Sequence, residues 1–162
     1  MCTVLEVNIS RTATVRVSDS RFASQVNYYS NIVPQRPDLN RGPWEELEAK
    51  NRDLVRRYGS VWIMTGPLYE ADMAPLPNCD EPHRVPSGFW KIVAIQDGAA
   101  LHVAAFIMEQ STVRKSPAID HLTTVDEVER RSGLDFFWQL PDGEENALEA
   151  AKDLAWARSW AN

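Results

Sequence analysis

Phe89-Trp-Lys-Ile-Val-Ala-Ile95 and Leu101-His-Val-Ala-Ala-Phe-Ile-Met108 are two apolar runs with Asp97-Gly98 between them. Both have the length of a strand, and Asp-Gly supplies the chain reversal that a tight hairpin needs. This spacing predicts an antiparallel hairpin, and the rest of the fold is read outward from it. Upstream, Val61-Trp-Ile-Met64 reads as a short buried strand closed by Thr65-Gly-Pro67. A Pro-rich loop from Glu70 to Pro86 separates it from the hairpin. Further upstream, Gly42 suits a helix N-cap and Pro43 the first helical position. Trp44, Leu47, Leu54, Val55 and Tyr58 then recur at helical spacing, interrupted by Asn51, until Gly59 ends the run.

Downstream, Thr124-Val-Asp-Glu127 is a capping box and Gly133 a stop for the helix it opens. Asn146 to Trp160 is Ala-rich and predicts one last helix. Thr14-Val-Arg-Val17 reads as a short strand. The sum is an α+β chain, a central, mostly antiparallel sheet with helices packed against it.

At 162 residues and 18.4 kDa the chain has the size of one domain. With 44% hydrophobic and 25% charged residues, the composition excludes disordered, collagenous and membrane-spanning classes. No apolar stretch approaches the ~18 residues of a membrane helix, and the N-terminus lacks the basic and apolar regions of a signal peptide. Cys2 and Cys79 form neither a disulfide framework nor a metal cluster, so cysteine usage leaves the compartment undetermined. The net charge is −6. Residues 120–162 carry ten acids and four bases, whereas residues 1–119 carry thirteen of each. The acidity that opposes a polyanionic partner is therefore confined to the C-terminal quarter.

Several blocks, in order, carry a resemblance. They are Ser30-Asn-Ile-Val-Pro-Gln35, Leu39-Asn-Arg-Gly-Pro-Trp44 with Leu47-Glu48, Thr65-Gly-Pro-Leu-Tyr69, Val85-Pro-Ser-Gly-Phe-Trp-Lys91, His102-Val-Ala-Ala-Phe106 and Thr124-Val-Asp-Glu-Val-Glu-Arg-Arg-Ser-Gly-Leu-Asp-Phe-Phe137. Together they resemble the DNA/RNA non-specific endonucleases, the ββα-metal or His-Me finger nucleases, over roughly residues 25–141. The resemblance divides the chain into a divergent segment, 1–24, and a single endonuclease-like domain, 25–162. It implies the ββα-metal fold and phosphodiester hydrolysis assisted by Mg²⁺, or by another divalent cation such as Mn²⁺. Mg²⁺ keeps most of its waters and needs few protein ligands. The resemblance assigns the metal to Asn40 and the catalytic group to Glu48, which orders metal-bound water, and to Arg52. Arg52 lies four residues on, where it can hold that carboxylate or meet a phosphate. Asn31 and Arg41 are the implied substrate-binding residues. The implied partners are DNA and RNA without sequence preference, with no membrane; a homodimer is compatible. Family members are secreted, periplasmic or mitochondrial.

One departure stands out. The family's general base is a histidine in Asp-Arg-Gly-His, upstream of the Ser30 block. The corresponding region, near Val7 to Arg11, reads Val-Asn-Ile-Ser-Arg, and the first histidine of the chain is His83. His83, His102 and His121 do not match the base. Impaired hydrolysis is therefore expected. The alternatives are an inactive nucleic-acid-binding or protein-interaction homologue, and an N-terminally truncated or frameshifted product. Each assignment also has a plainer competitor. Asn40 suits a turn or helix cap. Glu48 and Arg52 suit an exposed i,i+4 pair. Arg36, Lys50, Arg56 and Arg57 suit a solvated face. Trp44, Trp62 and Trp90 suit core packing rather than base stacking.

Overall fold

The computed structural model describes residues 8–11, 32–76 and 83–161, with the backbone alone at 8–11 and 32. The strand expected at Thr14–Val17, and Asn31, lie outside the described residues. The hairpin forms as its sequence requires. Strands β4 (Gly88–Asp97) and β5 (Ala100–Glu109) pair antiparallel, from Gly88 opposite Glu109 to Asp97 opposite Ala100. The turn is Gly98-Ala99, and Gly98 takes φ +59°, where a side chain would be strained. Strand β3 (Trp62–Leu68) joins the outer edge of β4, and β6 (Leu122–Thr123) the outer edge of β5. The sheet is thus antiparallel throughout, in the order β3-β4-β5-β6. A separate antiparallel pair, β1 (Asn8–Arg11) and β2 (Ile32–Gln35), leads into one helical turn, α1 (Pro37–Leu39). Next come a wide turn, Asn40–Trp44, and helix α2 (Glu45–Tyr58).

The β4 and β5 runs are apolar at nearly every position because both faces of the sheet are covered. Phe89, Val93 and Ile95 of β4 pack with Ala104, Phe106 and Met108 of β5 against Leu39, Trp44, Leu47 and Leu54. Trp156, Ala157 and Trp160 of α5 (Leu154–Ala161) complete that side. The alternate residues Trp90, Ile92, Ala94, Val103, Ala105 and Ile107 pack on the other side. They meet Phe136 and, from helix α3 (Val125–Ser132), Val125 and Val128. The strand period of two sorts the hairpin into these two cores.

Three expectations need correction. The strand at Val61 does not close at Thr65-Gly-Pro67 but continues to Leu68. Strand β3 is an edge of the described sheet, so the N–H that Pro67 lacks costs no central ladder bond. Gly66 is required because the Trp90 indole covers it, 2.6 Å from where a Cβ would stand. Trp62 is 39% exposed, so it is not a core residue, unlike Trp44 and Trp90. The expected last helix is two: α4 (Asp142–Ala150) and α5. Asp153 causes the break. Its Oδ1 accepts from the Trp156 N–H at 3.0 Å, as an N-cap does, and its Oδ2 pairs with His102 Nδ1 at 2.9 Å. The Gly42 cue holds: it is the non-helical residue (φ −118°, ψ −119°) between the turn begun at Pro37 and the helix that Pro43 opens, and its O accepts from the Glu45 N–H, as an N-cap does.

Other cues hold. Gly59 ends α2 with φ +76°, donating its N–H to Val55 O at 2.8 Å. Thr124 Oγ1 accepts from the Glu127 N–H at 3.2 Å, and Gly133 ends α3 in the left-handed region. The reciprocal half of that capping box is replaced, because the Glu127 carboxylate pairs with Arg130 one turn on.

Candidate active site

Trp44, Glu48 and Arg52 are spaced by four, one ridge of a helical surface, and Asn40 precedes them across the Gly42 kink. Such a ridge is inclined to the helix axis, so it climbs from the core towards solvent. Trp44 is buried between α2 and the sheet, its ring 5.7 Å from Phe89 in edge-on contact. Asn40 is half-buried, and Glu48 and Arg52 are exposed. Each polar head therefore meets water on a buried footing.

The Asn40 amide is oriented from β2. Its Nδ2 donates to Gln35 Oε1 at 2.6 Å, which leaves Asn40 Oδ1 as the oxygen able to meet a cation. Gln35 is itself buried, and its Nε2 has no hydrogen-bond partner. The junction between β2 and α1 is held by Gln110, just past β5. Gln110 Oε1 accepts from the Arg36 N–H and its Nε2 donates to Pro34 O, both at 2.8 Å. A groove of about 240 Å³ runs beside this junction, lined by Arg36, Pro37, Asp38, Gln110, Ser111 and Thr112.

The Gly42 kink lets the chain turn between Asn40 and α2 while touching the neighbouring loop. A Cβ on Gly42 would stand 2.5 Å from Arg114 O and 2.9 Å from its Cα. Both are backbone atoms and cannot swing aside. Gly42→Ala is therefore expected to lower stability by about 1–3 kcal/mol, the cost of overpacking. Urea unfolding checks it, and an unchanged midpoint would remove the proposed reason for glycine there.

Glu48 is held from two sides. Trp44 Nε1 donates to Glu48 Oε1 at 3.0 Å, and Lys91 Nζ approaches the same oxygen at 3.7 Å. Lys91 Nζ also lies 4.2 Å from the centre of the Trp44 ring, a cation–π contact. Lys91 is 2% exposed because its position on β4 falls among the residues facing α2. Burial pulls its pKa down to about 8, and attraction to Glu48 only partly opposes this. The expected holder of Glu48, Arg52, is not its partner: the described contacts of that carboxylate are with Trp44 and Lys91. A residue one turn further along the ridge points into solvent. Arg41, next to Asn40, is exposed. Lys91 and Gln110 were missed from sequence. Lys91 had a signal, as the one charge inside an otherwise apolar strand; Gln110 had none.

The histidines are engaged elsewhere. His102 bonds Asp153 and stacks on Trp156, with ring centres 5.5 Å apart. His121 Nε2 lies 2.8 Å from Ser116 Oγ, and burial lowers its pKa against the pull of Asp120. His83 lies exposed in the loop before β4.

Two strands pairing ahead of a helix, beside a four-stranded antiparallel sheet, is the fold the sequence blocks implied. Residues 11–143 match the DNA/RNA non-specific endonuclease family. The chain belongs to that family. The match begins in β1, ahead of the Ser30 block. Among curated relatives, a nuclease of Serratia marcescens is 42% identical over 128 residues, 77% of this chain and 48% of the relative. The mitochondrial endonuclease G of Bos taurus is 33% identical, over 67% of this chain and 40% of the relative. A mitochondrial nuclease of Saccharomyces cerevisiae is 29% identical, over 81% and 46% respectively. The chain thus spans about half or less of the length of these relatives. The antiparallel sheet with flanking helices agrees with the ββα-metal fold of the endonuclease family. No helix among the described residues is long and apolar enough to cross a membrane.

Proposed function

We propose that this chain carries the metal-holding half of a non-specific endonuclease site, acting on DNA and RNA, and lacks the general base. The observation that carries this reading is the pinned Asn40 amide, whose Oδ1 lies just ahead of the helix that carries Glu48 and Arg52. The donor set fits Mg²⁺ or Mn²⁺: one amide oxygen, a carboxylate to hold metal-bound water and room for more waters suit an ion that dehydrates reluctantly. Such an ion, once bound, would neutralise charge developing on the scissile phosphate and its leaving oxygen. Asn40 would hold the ion, and Glu48, steadied by Trp44 and Lys91, would orient water beside it. Arg52 and Arg41 would meet phosphates along the exposed side, with Asn31 lining the substrate path. The groove beside Arg36 offers the nucleic acid a continuation of that path. The neutral charge balance of residues 1–119 permits such a partner, whereas the acidic quarter does not.

No histidine precedes His83, and His102 and His121 already have partners. Loss of a general base costs about 10²–10⁴-fold. Supercoiled plasmid with Mg²⁺ is therefore expected to be nicked slowly. Added imidazole, a diffusible base, should raise the rate in the parent chain but not in Asn40→Ala. Robust nicking that survives Asn40→Ala would sink the assignment. Salt-dependent DNA binding without nicking, even with imidazole, would favour the second reading of an inactive nucleic-acid-binding homologue. That reading draws on the same engaged histidines.

A further inference from the structure

Helices α3 and α4 lie on the side of the sheet away from Asn40 and Glu48. Asp126 and Glu129, three apart on α3, share one helix face, and Glu149 comes from α4. One carboxylate oxygen from each lies within 4.8 Å of the other two. An exposed acidic cluster would mean little, but Glu149 is only 5% exposed and its Oε1 is buried without a hydrogen-bond donor. A buried carboxylate oxygen without a partner is among the costliest groups a fold can carry.

The two basic residues of α3 are engaged elsewhere. Arg130 holds Glu127 through two bonds of 2.7 Å, and Arg131 bridges Glu70 and Glu109. The charges that act on Glu149 are those of Glu129, Glu145 and Asp126, all acidic. With burial as the largest cause, and a proton shared with the Glu129 carboxylate contributing, they push its carboxyl up to about 7. Glu129 is already oriented, because its Oε1 accepts the Phe136 N–H at 2.7 Å. Asp126 is exposed, so the cluster opens to water on one side.

We propose that Asp126, Glu129 and Glu149 form a second cation site, for a hard divalent ion of the calcium class, that ties α3 to α4. Calcium accepts six to eight oxygens in flexible geometry, so three carboxylates completed by water suit it. The ion would complete the coordination of Glu149 and cancel the mutual repulsion. The competing occupant is a proton held between Glu149 and Glu129. The site is independent of the proposed nuclease chemistry.

Thermal melting and titration calorimetry of the full chain with Ca²⁺ at pH 8 test it. The Asn40→Ala background removes the candidate active-site ion. Calcium at about a hundredfold over its Kd should raise the melting temperature by roughly 5 °C or more in the parent and in Asn40→Ala. Glu149→Gln should abolish the shift and melt higher than the parent in chelator, since it removes the buried charge. Asp126→Asn, on the exposed side, should weaken calcium binding without disturbing the fold and decides the matter if Glu149→Gln misfolds. No shift with millimolar Ca²⁺, or a shift that survives both substitutions, overturns the proposal. If the proton is the only occupant, stability falls as pH rises from 4.5 towards 7 and calcium does nothing, which also overturns it.

Discussion

Trp44→Ala is expected to lower stability by about 3–5 kcal/mol, a large share of what a domain of this size possesses. The indole is 2% exposed and packs edge-on against Phe89 under the start of α2. Removing it leaves a cavity in the core shared by α2, α5 and the sheet. The same change deletes the N–H that holds Glu48 and the ring face that Lys91 occupies. Trp44→Phe separates the two roles. It keeps most of the packing and the ring face but has no donor for Glu48. Urea unfolding should show a much smaller loss for Trp44→Phe, while any Mg²⁺-dependent nicking should fall in both variants. Equal stability of the Ala variant and the parent would mean that Trp44 is not part of the core.

The second large effect concerns Lys91. Its folded pKa, about 8, lies below the ordinary 10.5, so between these values the unfolded chain binds more protons than the folded one. Stability therefore rises with pH through that window, and the cost of the buried charge is fully present below pH 8. The shift corresponds to about 3 kcal/mol. Lys91→Met removes that charge with similar volume. The variant is expected to unfold at higher temperature than the parent at pH 7, and the gap should close by about 3 kcal/mol on going to pH 10.5. A constant gap over that range would show that Lys91 is not held charged against desolvation. The stabilised variant should still lose function, because Glu48 would keep only the Trp44 contact. A charge that costs stability and steadies a site residue is the kind of local conflict expected where a fold does chemistry.

Much of the fold was legible because local and tertiary preferences agree. The 89–95 and 101–108 runs become the central hairpin, and Thr124 with Gly133 brackets α3 at both ends. The misreadings share a cause: a residue whose local meaning was overridden by something distant in sequence. Gly42 reads as a cap from its neighbours, but its close approach to Arg114, seventy-two positions on, does not show locally. Gly66-Pro67 read as a strand exit, but an edge position and a covering indole keep it in the strand. Asp153 sits in a helix-forming stretch, yet its bond to His102 and its cap on Trp156 divide the helix there. The blocks that carry Asn40 and Glu48 were legible in sequence. The side chains that contact them, Gln35 and Lys91, and Gln110, which holds the β2–α1 junction, are joined by no local pattern.

The hairpin sorts its side chains alternately to two cores, and this has a consequence for how the protein can change. Neighbouring positions on β4 answer to different packing demands: Phe89, Lys91 and Val93 to the side of α2 and Glu48, Trp90, Ile92 and Ala94 to the side of the acidic helices. One strand thus carries two interleaved sets of packing constraints. A substitution on the acidic side is expected to leave the α2 side unretuned, as long as the ten-residue pairing of β4 with β5 is kept.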